Sequence, residues 1–460
     1  MLKETMQISP IKKVLVIGGG LAGVEASYFL AQKGIKVVLL ENKTIQKNPA
    51  QKLSTLAELV CTNSLKSMIP DSAHGILKTE MKAFGSLVLT AAYEAQVPAG
   101  DALAVDREKF SNYITDKISN HPHIQYVEIE ATDPNKHLQE FECDFAIIAS
   151  GPLTTDPLNN WIKSQVSADD YYFYDAIAPV VDADSLDYSK LYFKDRKKEA
   201  SESADYLNAP MNKEEYYTFI EALKTAEKVP AKDFEDYKFF EACLPVDLMA
   251  ERGADTARFS CMKPIGLKLP SGEEPFAVVQ LRKENLLGSA FNLVGFQTRL
   301  TYKEQNRVFK MIPGFENASF IHLGSVHRNS FLNAKKLLNH DLSLKNNSQI
   351  HFAGQITGVE GYTESASMGL YVAYQVYLKL NGQSTIQFPV ETGMGALVNY
   401  IMTNERPAPS NINFGLFPTI SLNKEQRKNK SRKMVKKSLI AERANQVFHQ
   451  FARDHKVISC

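Results

Sequence analysis

VLVIGGGLAGVEASYFLAQKGIKVVLLE, residues 14–41, decides the fold. VLVIGG is a short, β-branched apolar run, the pattern of a buried strand. Glycines follow at positions 18, 20 and 23. VEASYFLAQKG then has helical spacing and stops at Gly34, a C-terminal cap. KVVLL is a second strand, closed by Glu41. Strand, glycine turn, helix, strand and acid within about 30 residues is the dinucleotide-binding arrangement. Gly18 permits the tight turn, Gly20 lets backbone approach a pyrophosphate, and Gly23 lets the helix pack on the strand. Gly19, Leu21 and Ala22 complete the cradle, where the helix N-terminus offers N–H donors and a favourable dipole. Glu41 is placed to accept from ribose hydroxyls, and its charge disfavours a 2′-phosphate.

The fingerprint alone does not choose between FAD and NAD. A second glycine-rich element, IHFAGQITGVEGY at residues 350–362, tips the choice to FAD. Gly354, Gly358 and Gly361, with Gln355 among them, would let backbone approach a flavin ring.

Outward from these two elements, the 460 residues suggest roughly two to three domains. The expected fold class is α/β: a Rossmann-type FAD-binding domain with a parallel sheet, carrying an inserted α+β domain. The FAD-binding parts are placed at 11–181 and 329–421, the insertion at 182–328, and a basic helical tail at 422–460. FAIIASG (145–151) reads as a further strand. The insertion's charged, aromatic segments KLYFKDRKKEA and KEEYYTFIEALKTAEK read as helices, and FAVVQL (276–281) as a strand. The 53 Lys+Arg nearly cancel 52 Asp+Glu, which excludes a wholly basic chromatin-like protein and an acidic solvating tail. No apolar run approaches a membrane span, and MLKETMQISPIKK has no apolar signal region. Five scattered cysteines form no CxxC pair and imply no disulfide framework. A reducing cytoplasm and no metal site are expected.

These residues carry a resemblance. The chain resembles the folate- and FAD-dependent tRNA (uracil-5-)-methyltransferases. The matching segments include IGGGLAGVEA, AELVCTNSLK, VPAGDALAVDREKF, FFEACLPVDLMAERG, MKPIGL, AVVQLRKEN, NLVGFQTRL, VHRNSF and HFAGQITGVEGYTESASMGL. They run in the family's order from about residue 14 to residue 418. The departures are Thr62, where the family usually has Ser, GGGLAGVEAS for GAGLAGSEAA, and an unusually basic tail.

The resemblance implies the chemistry. Carbon 5 of uracil is a poor nucleophile until a thiolate adds to carbon 6, and cysteine suits that task because its thiolate attacks readily and later leaves. The likeness gives this role to Cys243 and places Cys61 near the flavin, at the folate-derived carbon or as a base at carbon 5. Cys143 reads as structural, and Cys261 and Cys460 have no role. 5,10-Methylenetetrahydrofolate is the implied carbon donor, FAD the carrier of carbon and hydride, and NADH or NADPH the reductant. His327 and Tyr362 are candidates to stack on or bind folate, Arg328 to meet a carboxylate or phosphate, and Asn63 and Ser64 to hydrogen-bond flavin or folate.

The RNA side rests on local charge. Residues 424–437, KEQRKNKSRKMVKK, hold eight basic residues and one acid, among them Lys428, Lys430, Arg432 and Lys433. Arg299, Lys303, Arg307 and Lys310 would share one face if that stretch were helical. Both groups are candidates for phosphate contact. The target is tRNA or, with identical catalytic motifs, a uridine of 23S ribosomal RNA. A small-molecule flavin oxidoreductase and a flavoprotein docking module are the alternatives from other classes.

Overall fold

The computed structural model describes residues 12–47, 51–60, 62–166, 170–196, 204–229, 244–283, 290–404, 409–423, 426 and 431–457. Strands and the helices that shape the site are numbered along the chain. The central sheet is parallel throughout, in the order β16 (Ile350–Phe352), β7 (Phe145–Ile148), β1 (Lys13–Ile17), β2 (Lys36–Glu41), β6 (Ile124–Glu128). Its strands read as unbroken apolar runs because both faces are covered: Val14 to Ile17 and Val37 to Leu40 are all buried. One cover is α1 (Leu21–Gln32), which packs on α7 (Tyr362–Leu380). The α/β Rossmann-type expectation therefore holds, and the residues after β1 and β16, the strands on either side of β7, emerge at the same end of the sheet.

A three-stranded sheet, β3 (Ser64–Ser67), β5 (Ala102–Val105) and β4 (Gln96–Val97), lies beside helices α2 (Ala73–Ala83) and α3 (Leu87–Glu94). A two-stranded ribbon, β8 (Tyr171–Ile177) with β15 (Ser325–Leu332), leads into and out of the insertion. The insertion's own sheet has the order β10 (Tyr192–Phe193), β11 (Tyr206–Met211), β12 (Ala277–Lys283), β13 (Ala290–Leu293), β9 (Val180–Asp182), β14 (Phe320–His322). It thus begins at Val180, two residues before the sequence-based boundary. One sheet face meets α4 (Lys213–Thr225), α5 (Val246–Arg252) and α6 (Tyr302–Phe309) across a second apolar core containing Leu207, Val279, Phe291, Phe219 and Phe309. KEEYYTFIEALKT is the expected helix. KLYFKDR is not: it forms edge strand β10, because Phe193 packs toward that core while the Tyr192 hydroxyl donates to Leu267 O (2.6 Å), a two-residue alternation.

The C-terminal segment is helical, as expected, and it is also packed. Helix α9 (Arg432–Asp454) buries Ile440, Ala441, Ala444, Phe448 and Phe451 in the core of the first domain. Only its first turns are dominated by exposed charge.

Two buried carboxylates hold helices in this domain. Glu25 of α1 accepts from Leu87 N (3.0 Å), Val88 N (3.1 Å) and the Ser86 hydroxyl, closing the N-terminus of α3. Glu80 of α2 accepts from Met394 N (2.8 Å) and Gly393 N, closing the N-terminus of α8 (Gly393–Thr403). Burial raises Glu25 to about 7 and Glu80 to about 8, against a usual 4.5. A raised carboxyl contributes stability that is complete below pH 4.5 and lost as pH climbs through the folded value. Glu80→Gln should therefore gain on the wild type between pH 5 and pH 9, by on the order of 5 °C in thermal midpoint. The penalty of turning an amide N–H toward a donor is independent of pH and drops out of this comparison. Melting curves across that range check it; a pH-independent difference sinks it.

Candidate active site

The first glycine turn is fixed by close approach. Gly18 has φ +104°, and a Cβ there would sit 2.5 Å from Ala149 O. A Cβ on Gly23 would lie 1.8 Å from Gly18 O. At Gly20, by contrast, a Cβ would meet nothing within 4 Å, so the backbone opening α1 faces free space. Open space at a helix N-terminus beside a glycine turn fits a pyrophosphate.

Leu21 and Ala22 are buried, and Ala22 joins the two glycine elements. Cβ atoms on Gly354 and Gly369 would fall 2.7 Å from Ala22 Cβ and 2.2 Å from Ala22 O. The second turn therefore touches the start of α1. Gly354, Gly358 and Gly361 all have positive φ, of +81°, +97° and +108°. Gln355, in a single 3₁₀ turn between them, is half-buried.

Glu41 has a task the sequence reading missed. Its Oε2 accepts from Gly19 N (2.6 Å), and Oε1 accepts from Asn42 N (2.9 Å) and Lys43 N (3.0 Å). A carboxylate offers about four acceptor positions, so one remains for a ribose hydroxyl. Beside it, residues 55–60 lie along the turn. Ala57 N donates to Gly19 O (2.9 Å), and Lys43 pairs with Glu58 (2.6 Å) while donating to Thr55 O (2.7 Å). Arg107 Nη1 donates to Leu59 O (2.8 Å). The segment then reaches the second turn, where Thr62 N donates to the Tyr362 hydroxyl (3.0 Å). Ala57 thus meets one glycine turn, and Thr62 meets the start of α7. Arg107 and Glu58 lie in quoted family segments, which was their sequence signal; Lys43 had none.

The other sequence candidates fall out unevenly. Cys61 and Cys243 lie outside the described residues, as do Lys428 and Lys430. Nothing is described of the His327, Arg328 and Lys433 side chains; His327 pairs in register with Asp175 in the ribbon. Tyr362 is brought against Thr62 at the start of α7. Asn63 is fully buried and committed: Nδ2 donates to Val105 O (3.1 Å) and Lys283 O (2.8 Å), and Oδ1 accepts from Arg282 (2.9 Å). Ser64 accepts from Lys66 N (3.1 Å). The Asn63 side chain is therefore a structural tie, which corrects its assignment to flavin or folate.

Arg299 needs a similar correction. Helix α6 starts at Tyr302, so Arg299 precedes it and the four basic residues do not form one helical face. Arg299 Nε meets Asp247 Oδ2 (2.6 Å) and Nη2 meets Glu251 (2.9 Å). It anchors α5, just beyond Cys243, instead of awaiting a phosphate. Arg307 pairs with Glu304 on its own helix; Lys303 is exposed and Lys310 half-buried.

Two thiols are described. Cys143 donates to Phe141 O (3.6 Å), and burial pushes it up to about 11. Cys261 packs against Met249 Sδ (3.8 Å), and burial pushes it up to about 12. Neither forms thiolate near neutral pH, so neither suits a nucleophile. Among the described residues no three His, Cys, Asp or Glu side chains group to hold a metal, and no helix is long and apolar enough to cross a membrane.

Comparison with known proteins agrees with this geometry. Residues 13–384 match the family described as "GIDA: Glucose inhibited division protein A". A protein of Aquifex aeolicus, "Methylenetetrahydrofolate--tRNA-(uracil-5-)-methyltransferase TrmFO", is 48% identical over 449 residues, 97% of this chain and 98% of its own. The protein of the same name from Geobacter sulfurreducens is 49% identical, covering 94% and 96%. Among solved structures, Aquifex aeolicus GidA in the form I crystal matches with a TM-score of 0.67 at 15% identity, over 97% of this chain and 76% of that one. That last likeness bears on the fold alone.

Proposed function

This chain belongs to the methylenetetrahydrofolate–tRNA-(uracil-5-)-methyltransferase family, and from that premise we propose how its residues divide the work. It is a folate-dependent enzyme that methylates carbon 5 of uridine in tRNA, and it uses FAD. The relatives' names specify tRNA, so the ribosomal alternative loses ground, as do the small-molecule oxidoreductase and the docking module. NADH or NADPH is the proposed reductant and the cytoplasm the proposed location.

Bound FAD, once reduced, supplies the means to carry the folate-derived carbon and to deliver hydride. Gly18, Gly20 and Gly23 seat its pyrophosphate at the N-terminus of α1, and the remaining acceptor position of Glu41 meets a ribose hydroxyl. The second turn, Gly354 to Gly361, brings backbone to the ring. The Cys243 thiolate forms a bond to uracil carbon 6 and makes carbon 5 nucleophilic. Cys61 takes the carbon 5 proton after the new carbon–carbon bond forms. Breaking the bond from sulfur to carbon 6 frees the product. Tyr362 lies at the folate side of the cleft. The target base must be flipped from its stack to reach Cys243. The exposed Arg432 at the start of α9, with the basic residues before it, meets tRNA phosphates.

The observation that carries this reading is the meeting of the two glycine turns at Ala22, with Ala57 tied to the first turn and Thr62 to the start of α7. The test incubates purified protein with unmodified tRNA and 23S RNA, methylene-labelled folate and NAD(P)H, then maps 5-methyluridine by mass spectrometry. Label in tRNA is expected; label only in 23S RNA, or in neither, overturns the reading.

A further inference from the structure

The insertion's sheet has a second face, opposite its apolar core. Along it lie Asn208, Gln280 and Arg282, all buried, with Arg282 only 7% exposed. Gln280 Nε2 donates to Asn208 Oδ1 (3.1 Å), and Arg196 Nε donates to Gln280 Oε1 (2.9 Å). Polar groups this deep are held by partners. For Arg282 those partners are in the other domain. Its Nε donates to Asn63 Oδ1 (2.9 Å) and its Nη2 donates to Thr62 Oγ1. Across the sheet it hydrogen-bonds Tyr206, its register partner on β11. Asn63 answers by donating to the backbone oxygen of Lys283 (2.8 Å), the next residue of β12. A second tie lies nearby, where Gly100 N donates to Asp205 of the insertion.

We propose that Arg282 is a positioning residue: its guanidinium grips Thr62 and Asn63 together, and so constrains Cys61, one peptide bond away. The inference rests on the chemical role given to Cys61 above. Three separate units converge on the same two residues. Tyr362 takes the Thr62 N–H from the side of the second glycine turn. Val105 takes one Asn63 N–H from the small sheet. Arg282 and Lys283 hold the rest from the insertion. A planar guanidinium suits the task because it presents several N–H groups in fixed directions, whereas an ammonium acts as a point charge. The arrangement also accounts for the tolerance of threonine at position 62. The contact uses the hydroxyl, which serine and threonine share.

The clamp ties the insertion, which carries Cys243, to the turn that carries Cys61. Misplacing a reacting group by about 1 Å costs on the order of a hundredfold in rate. Loss of the clamp should therefore lower turnover and leave substrate affinity alone.

The test uses full-length, flavin-loaded protein. Arg282→Gln and Arg282→Lys are expected to lower kcat for tRNA methylation by about tenfold to a hundredfold, with KM for tRNA within about twofold and flavin content unchanged. Hydrogen exchange in a peptide spanning residues 57–67 should speed up in both, while residues 13–17 in the central sheet should not change. Arg282→Lys with wild-type kcat overturns the two-acceptor grip, because charge alone would then suffice. Unchanged exchange at 57–67 overturns the clamp altogether. If the Arg282 variants fail to fold or to hold flavin, Thr62→Val decides: a reduced kcat at constant KM supports the proposal, and wild-type kcat overturns it. Cys61→Ser with full turnover would remove the role given to Cys61, and the exchange rates would still judge the clamp.

Discussion

Replacing Cys243 with alanine is expected to abolish the covalent complex with 5-fluorouridine tRNA and to lower methyl transfer by on the order of 10⁴-fold or more. The substrate analogue makes the test sharp. After thiolate addition and carbon transfer, carbon 5 of the analogue carries fluorine where uridine carries a proton. No base can take that fluorine as a proton is taken, so the bond from sulfur to carbon 6 cannot be released and the adduct survives denaturation. The chain just past this cysteine is firmly based. Leu244 is buried, Val246 N donates to Gln297 O (2.8 Å), and the fully buried Asp247 binds Arg299. The two described thiols, Cys143 and Cys261, are held protonated by burial. Cys61→Ser gives the contrast: turnover should be lost, while an adduct at Cys243 still forms. The measurement is a denaturing gel with labelled RNA. A full-strength adduct in Cys243→Ala would move the nucleophile elsewhere and take the assigned chemistry with it.

The same comparison shows what a sequence can disclose. The β1–α1–β2 unit was legible because its order is local: apolar runs, glycine spacing and an acid within a single stretch. The second glycine turn was legible for the same reason. Arg299 and Asn63 were misassigned because a motif displays a polar residue without its partner. Asp247 lies 52 residues from Arg299, and Arg282 lies 219 from Asn63. In both cases the partner consumes the group that seemed free for a ligand. Glu41 shows a milder form, since its proposed ribose role shares the carboxylate with three backbone ties that no spacing rule announces. The C-terminal helix misled differently. Its buried positions Ile440, Ala444, Phe448 and Phe451 follow helical spacing, but the charge run just before them dominated the segment. Truncating that helix would expose core, so charge reversal at Arg432 is the cleaner probe of RNA contact.

Gly23→Ala and Gly20→Ala should separate two ways of losing flavin. At position 23 the added Cβ would sit 1.8 Å from Gly18 O, a backbone atom with little freedom, because Gly18 itself is wedged against Ala149. Relief requires α1 to move off β1, and α1 is pinned by its contacts with Gly354 and Gly369 at Ala22. Overpacking of this kind costs about 1–3 kcal/mol. The apoprotein should therefore melt several degrees lower, and flavin occupancy should collapse because the helix N-terminus no longer faces the pyrophosphate. At position 20 the Cβ meets no protein atom within 4 Å. It projects instead into the open space proposed for the cofactor's pyrophosphate. Gly20→Ala should keep the apoprotein melting temperature within about 2 °C and still weaken flavin retention by at least about tenfold, the difference arising where the ligand's phosphates would lie. The ratio of flavin to protein absorbance, read with melting curves of flavin-free samples, distinguishes the two. Full flavin occupancy in Gly20→Ala would mean that the open face of the turn is not where the pyrophosphate binds, whatever the fate of Gly23→Ala.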